Sequence, residues 1–343
     1  MKLADFDYEL PEELIAQAPC EERDRSRLLV VHRDSGRLEH RTFSDFPEYL
    51  RPGDAVVVND SRVIPARLFG SKESGGRVEF LLLSCEDERS AHWTALLKPG
   101  RRVKAGTSVR LGTDAEAEIL EKLPDGTWRI RFRTGADFNA FLNEHGYAPL
   151  PPYIKRRGGA GISAADLDRY QTVYARVPGS VAAPTAGLHF TPAVLDAIRS
   201  RGIPVAAVTL HVGYGTFRPI EAESVEDHVM DEERIEIGAE AARTINAAAR
   251  VVAVGTTSTR TIETAAGDGG AIAAGSLRTR LYLYPGRPFR RVGALLTNFH
   301  LPRSSLFLLV CAFAGRERMM EAYAEAVRER YRFFSYGDCM LIL

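Results

Sequence analysis

Apolar positions follow two rhythms along the chain, and the change between them divides it. Near the start, "RLLVVHR", the turn "DSG" and "RLEH" predict a β-hairpin. Pro11 opens a short helix, and Ser44 is placed to cap another in "SDFPEYL". In "RPGDAVVVNDSRVIPARLFG" a turn at Pro52, Gly53 and Asp54 precedes a buried strand from Ala55 to Val58 and a polar corner from Asn59 to Arg62. From about Val63 to Phe132 the pattern becomes short β-rich runs, "RVEFLLL", "HWTALLK", "SVRLG", "AEIL" and "WRIRF", with turn chemistry between them. Even spacing of this kind predicts a small antiparallel barrel. In "WRIRFR", alternation turns Trp128, Ile130 and Phe132 inward and three arginines outward.

After the Pro- and Gly-rich "YAPLPPYIKRRGGAGIS", strands and helices alternate. The expected elements are a helix from Asp166 to Tyr174, a helix after Thr191-Pro192, the strand "IPVAAVTLHV", the helix "AEAARTINAAA" and the strand "RVVAVG". A short helix after Arg260 and the helix "ERMMEAYAEAVRERY" complete the set. This is the signature of a mixed sheet covered by helices. The expected fold is therefore a large mixed α/β (α+β) domain, residues 1–62 and 151–343, interrupted by an inserted β-barrel domain at 63–150.

Composition narrows the partners rather than the fold. With 343 residues, 45% of them hydrophobic, the chain can bury more than one core. Lys plus Arg and Asp plus Glu each number 45, so no net field steers the molecule toward nucleic acid or membrane, and any RNA contact must be local. One such patch is "RTRLYLYPGRPFRR", where Arg287, Arg290 and Arg291 lie among aromatic residues; a solvated strand face is the plainer alternative. The acidic N-terminus lacks a signal-peptide core and "LFLLVCAFAG" is too short to cross a bilayer, which predicts a cytoplasmic protein with no membrane partner. Four scattered cysteines form no Cys-x-x-Cys pair and are expected to be buried apolar residues.

Candidate chemistry gathers at corners where strands end. In "VAAPTAGLHFTPAVLDAIRSRG", Thr185 and Gly187 lie in a run of small residues that exposes main chain next to His189. Thr191 and Pro192 follow as N-cap and first helical position, and helix amides at such a start can hold an anion. The alternative is a histidine packed under Leu188 and Phe190. In "VAAVTLHVGYGTF", alternation puts Thr209, His211 and Gly213 on the more polar face at a strand's carboxyl end. "RVVAVGTTSTRTIE" is a buried strand, a glycine, a hydroxyl cluster and Arg260, suited to a carboxylate or phosphate but lacking the glycine patterns of nucleotide-binding loops. "EDHVMDEERIEI" holds His228, Asp231 and Glu233, and "LLTNFHLPRSSL" holds Asn298 and His300. No ligand motif accompanies the former, so no metal is expected.

Taken in order, "PTAGLHFT", "VTLHVGYGTFRPI", "VGTTSTRTIE", "LLTNFHLPRSSL", "CAFAGRER" and "YRFFSYGDCMLIL" resemble the motif series of the S-adenosylmethionine:tRNA ribosyltransferase-isomerase family of queuosine biosynthesis. "FDYELPEELIAQ" and "VVNDSRVIPARL" are similar to that family too, so the resemblance spans nearly the whole chain.

The resemblance implies that the barrel has six strands. It implies a reaction in which S-adenosylmethionine, consumed as cosubstrate, donates its ribosyl group to 7-aminomethyl-7-deazaguanine at the tRNA wobble position, giving epoxyqueuosine, adenine and methionine. No resident cofactor is needed, the tRNA partner is met through its anticodon arm, and a monomer suffices. Removing a proton beside the sulfonium and protonating the departing adenine both suit histidine, making His189 and His211 the catalytic candidates. Matching motifs add a substrate-binding set: Asn59, Asp60, Ser61, Arg62, Thr185, Gly187, Gly213, Gly215, Thr216, His228, Glu233, Thr256, Thr257, Ser258, Arg260, Asn298, His300, Tyr336 and Asp338. Arg287, Arg290 and Arg291 are the tRNA-contact candidates. Asp231 stands where the family often has histidine, and "YPGRPFRRV" carries arginine where an aromatic is common. An S-adenosylmethionine-dependent RNA methyltransferase and a non-enzymatic RNA-binding module are the alternatives.

Overall fold

The structure is a computed structural model of the chain, described here for all residues except 88–90, 136, 157–163, 214 and 216–219. The chain opens with the hairpin β1 (Arg27–Val31) and β2 (Leu38–Thr42). The following 3-10 turn is capped two positions earlier than expected: Thr42 is the N-cap, and its N–H donates to the Asp45 carboxylate at 3.2 Å, leaving Ser44 inside the turn. Next come β3 (Asp54–Asn59) and the short β4 (Ser61–Val63).

Six strands then close a barrel: β5 (Arg67–Lys72), β6 (Arg77–Asp87), β7 (His92–Lys98), β8 (Ser108–Leu111), β9 (Ala115–Lys122) and β10 (Trp128–Thr134). Trp128, Ile130 and Phe132 are buried, as alternation predicts, and the arginines between them face out. The strand that the apolar pattern does not reveal is β5, "RLFGSK", which carries Gly70 at the closing seam. A Cβ there would lie 2.6–2.8 Å from Val109, the Arg110 carbonyl and Leu111, so only glycine lets the strands approach this closely. Helix α1 (Phe138–His145) plugs the barrel, stacking Phe138 on Phe132 with ring centroids 4.7 Å apart.

Helix α2 (Ala164–Arg169) stops well short of Tyr174, because polar contacts to β4 take hold of the chain beyond it. The Gln171 side chain bonds both the N–H and the C=O of Val63, and the Arg176 N–H donates to the Asp60 carbonyl at 2.8 Å, pulling the chain out to run as β11 (Val177–Ser180) beside β4. Then come α3 (Pro192–Ser200), β12 (Val205–Leu210), β13 (Glu233–Ile237), α4 (Ala239–Ala247) and β14 (Arg250–Val254). Thr191 caps α3 with Pro192 at its first turn, as read from the sequence. Helix α5 (Gly255–Ala265) is continuous, where a hydroxyl loop and a short helix after Arg260 were expected. Thr259 and Thr261 donate back to the carbonyls four residues earlier, so these hydroxyls ride inside the helix instead of ending it.

The remaining elements are β15 (Gly275–Thr279), β16 (Val292–Asn298), α6 (Ser305–Ala314), α7 (Arg316–Arg328) and β17 (Cys339–Ile342). Of the arginine-aromatic stretch, only its first two residues lie in β15. The apolar run "LFLLVCAF" makes α6, buried nearly all round, and no helix among the described residues is long and apolar enough to cross a membrane. Cys311 and Cys339 are buried; Cys20 and Cys85 are partly exposed, contrary to expectation.

Nine strands form one mixed sheet in the order β15-β13-β12-β3-β14-β16-β17-β1-β2. The interiors of its central strands, residues 55–58, 251–254 and 294–296, are apolar throughout because both faces are covered. Leu29, Val31, Val57, Ala253 and Leu295 pack toward α4, α6 and α7, while Leu28, Val30, Val56, Val252 and Leu296 meet Phe43, Phe46, Phe190 and α3. Strands β12, β3, β14 and β16 run parallel, so Leu210, Asn59, Val254 and Asn298 end along one edge. That edge carries the site.

A candidate active site at the carboxyl ends of four parallel strands

A cleft of about 400 Å³ opens at this edge, within the range of a small-molecule site. One wall is the small-residue run, with Ala182, Ala183, Pro184, Thr185 and Ala186; another is the start of α5, with Gly255, Thr256 and Thr257; the end of β16 supplies Thr297, Asn298 and His300. Free main-chain amides at the start of α5 border it. Gly255 adopts φ +84°, the left-handed turn that lets β14 pass directly into that helix.

Two buried polar atoms on these walls have no hydrogen-bond partner among the described residues: Thr257 Oγ1 and Asn298 Oδ1. Orphaned acceptors in a hollow are what a ligand would satisfy. The Asn298 amide is oriented by its other end, since Nδ2 donates to the carbonyls of Phe334 (3.2 Å) and Asp338 (3.3 Å). His300 is held on three sides. Its N–H donates to Tyr323 Oη at 3.1 Å, its carbonyl accepts from Tyr8, and Nε2 meets Thr297 Oγ1 at 2.8 Å. Burial pushes its pKa down to about 3, so it is neutral at pH 7.

Neither of the two sequence-derived catalytic histidines lines this cleft, but each adjoins a residue that does: His189 is bonded to Asn298, and His211 precedes Val212. His189 is only 4% exposed, and both ring nitrogens are engaged. Asn298 Nδ2 donates to Nε2 at 3.1 Å, which leaves the proton on Nδ1, 2.7 Å from Ser26 Oγ; Ser26 in turn donates to the Arg23 carbonyl. Burial first, then Arg332 and Arg23, lower its pKa to about 3. His189 therefore braces the back of Asn298. His211 follows β12, half-buried, its ring against Gly179, with Nδ1 buried and unpartnered. Burial and Arg234 lower its pKa, and Asp60 and Glu236 oppose them.

Around these groups the other candidates divide by what holds them. Asn59 is a latch: Nδ2 donates to the Leu210 carbonyl, and Oδ1 accepts from Leu210 and Ser61 N–H groups. Asp60 is 1% exposed and accepts from Thr209 Oγ1 (2.7 Å) and from Arg176 (2.8 Å). Ser61 is buried beside it with its hydroxyl unpartnered; Arg62 is exposed. Gly187 is buried because Tyr174 Oη occupies the space a Cβ would need, 2.0 Å away. Glu233 accepts from the Gly213 N–H at 3.1 Å and forms a buried ion pair with Arg260, whose Nη2 is unpartnered. Gly215 packs against the Asp231 carboxylate, and Thr216 lies outside the described residues.

Several candidates stand away from the cleft. Ser258 is fully buried in α5. His228 lies edge-on to Tyr282, ring centroids 5.2 Å apart. Asp338 anchors main chain, accepting from the Arg27 and Arg332 N–H groups. Tyr336 lines a smaller neighbouring hollow with His189. The arginine patch is dispersed: Arg291 donates to the carbonyls of Ile245 and Ala248, and Arg290 to that of Ala266, whereas Arg287 is exposed over the Tyr284 ring. No group of three or more potential metal ligands occurs among the described residues. Sequence reading missed Tyr153, Ile220, Phe299, Leu301 and Ser335 on the cleft wall, apolar or neutral residues with no chemical signal of their own.

A helix-covered mixed sheet with an inserted barrel, and a cleft at the ends of its parallel strands, defines an α/β enzyme with a ligand site at the usual edge. The chain belongs to the queuosine biosynthesis protein family, whose model, "Queuosine biosynthesis protein", matches residues 3–342. It is 53% identical to the S-adenosylmethionine:tRNA ribosyltransferase-isomerase of Syntrophus aciditrophicus and 51% identical to that of Moorella thermoacetica, each match covering 100% of both chains. Among solved structures it resembles the S-adenosylmethionine tRNA ribosyltransferase of Thermotoga maritima, at 39% identity and a TM-score of 0.55 over 99% of this chain and 100% of that one.

Proposed function

We propose that the protein is an S-adenosylmethionine:tRNA ribosyltransferase-isomerase that moves and rearranges the ribosyl group of S-adenosylmethionine onto 7-aminomethyl-7-deazaguanine at the tRNA wobble position. The observation that carries this reading is the cleft itself, with its orphaned Thr257 and Asn298 oxygens and neutral His300, in a chain matched end to end by this family. The methionine carboxylate sits on the amides and hydroxyls of Thr256 and Thr257. The small run from Ala182 to Ala186 lets the nucleoside approach main chain.

In this reaction a proton leaves the ribose carbon beside the sulfonium, its electron pair staying on carbon, and the departing adenine nitrogen gains a proton. The aminomethyl nitrogen then attacks the opened sugar, and epoxide closure expels methionine. His211, with a free ring nitrogen and the Asp60 carboxylate nearby, is the proton-transfer group; His189 positions Asn298. S-adenosylmethionine is consumed and no resident cofactor takes part. The anticodon arm enters over the cleft, and the enzyme works as a cytoplasmic monomer.

Incubation with S-adenosylmethionine and tRNA bearing the aminomethyl base, followed by nucleoside mass analysis, tests the reading. Adenine, methionine and an epoxyqueuosine-bearing tRNA are expected, with turnover lost in His211→Gln. Formation of S-adenosylhomocysteine would replace this reading with RNA methylation, and no turnover of either substrate would leave an RNA-binding module.

A further inference from the structure

Behind the His189–Asn298 pair lies a second hollow of about 20 Å³, walled by Arg23, Ser26, Arg169, His189, Tyr336 and Gly337. It holds one oxygen-sized group. Ser335 lines both this hollow and the cleft, and Arg23 and Arg169 are each partly exposed, so it is reached from the surface beside the cleft.

Its side chains offer donors. Arg23 gives Nη1 to the Leu188 carbonyl and Nη2 to that of Asp168, both at 3.1 Å, and Arg169 gives its two Nη groups to the carbonyls of Glu21 and Cys20. Neither guanidinium is ion-paired among the described residues. Arg169 Nε and the hydroxyl of Tyr336, a residue only 3% exposed, are buried with no partner among the described residues. The charges facing the Tyr336 phenol are Asp166, Arg156, Arg169 and Arg23. Arg156 and Asp166 neutralise each other in a 2.8 Å ion pair, and Asp168 faces Arg23 only from beyond pairing distance. The two remaining guanidiniums are left to an outside anion.

We propose that this hollow is an oxyanion site that receives one non-bridging oxygen of an RNA phosphodiester. Arg23 and Arg169 flank the phosphate, and Arg169 Nε and the Tyr336 hydroxyl donate to its inserted oxygen. The inference rests on the reading that tRNA is the substrate. A carboxylate of S-adenosylmethionine shares the chemistry, but the hollow lies outside the cleft, screened from it by His189 and Asn298. An anion seated here touches the chain of bonds from Ser26 through His189 to Asn298, which joins tRNA docking to the cleft wall.

The test is the dissociation constant for tRNA across a potassium chloride series, with S-adenosylmethionine affinity measured in parallel. Arg23→Gln and Arg169→Gln should each weaken tRNA roughly tenfold and flatten the log-log salt slope by about 0.7–0.9. Tyr336→Phe should weaken tRNA a few fold at an unchanged slope, because it removes a neutral donor. S-adenosylmethionine affinity should not move. Because the glutamines also release main-chain carbonyls, Arg169→Lys serves as the second variant: it keeps the charge and should keep the slope. Wild-type slopes in both glutamine variants, an equal loss of slope in Arg169→Lys, or a loss confined to S-adenosylmethionine would each overturn the site. Wild-type protein that binds no tRNA would overturn the parent reading as well.

Discussion

The barrel and the sheet edge use the same arginine-carboxylate chemistry to opposite ends. On the outer face of β10, Arg129 meets Glu86 and Glu121, while Arg131 and Arg133 share Glu118, with arginine side chains 37–59% exposed. At the sheet edge, Arg260 and Glu233 are paired at 4% and 6% exposure. Water screens the first set, so it marks a solvated face. The second is dry, where a charge is tolerated only while its partner is present. Residue type alone does not distinguish them; what covers each strand does.

The sharpest way to break the comparison is to remove one member of the dry pair. Glu233→Gln strands the Arg260 guanidinium, which already has one unpartnered nitrogen, and also weakens the acceptor for the Gly213 N–H beside the cleft. A loss of about 3–5 kcal/mol in unfolding free energy is expected by denaturant titration. A loss under about 1 kcal/mol would show that water reaches the pair and that the edge is no drier than the barrel.

That contrast also explains what the sequence could reveal. Period-two alternation made β10 legible, and uniform apolar runs made β3 and β14 legible, because each rhythm follows directly from how many faces are covered. β5 was not, since its defining residue, Gly70, answers to Val109 and Leu111 from distant strands. The helix end at Arg169 was hidden for a like reason, being fixed by Gln171 reaching Val63. In the site, motif order located the loops, but not which imidazole faces the hollow. His189, His211 and His300 look alike in sequence; their difference lies in Ser26, Asn298, Gly179 and Thr297, contributed by other segments or set by the turn after β16.

A pH titration tests the dry edge next. His189 and His300 are held near pKa 3 against about 6.5 in the unfolded chain. Below pH 6.5 the unfolded state binds protons that the folded state refuses, so stability falls as pH drops from about 6.5 toward 3 and is unaffected above that window. Each histidine should cost about 2 kcal/mol at pH 5 relative to pH 8. His189→Gln should remove about half of this dependence in denaturation curves collected at the two pH values. An undiminished dependence in that variant would place the titrating group elsewhere.

The smallest effect belongs to the barrel face. Arg129→Ala removes two ion pairs at once, yet its side chain is 38% exposed, and Glu86 and Glu121 are left free to rehydrate. The expected change in stability lies within the scatter of a denaturant titration and shrinks further in high salt as screening takes over. Turnover should be untouched, because the pairs lie on the barrel's outer face and none of their residues lines the cleft. A loss comparable to that of Glu233→Gln would mean that this face is covered in the working protein, and the barrel would then be read as a second dry surface.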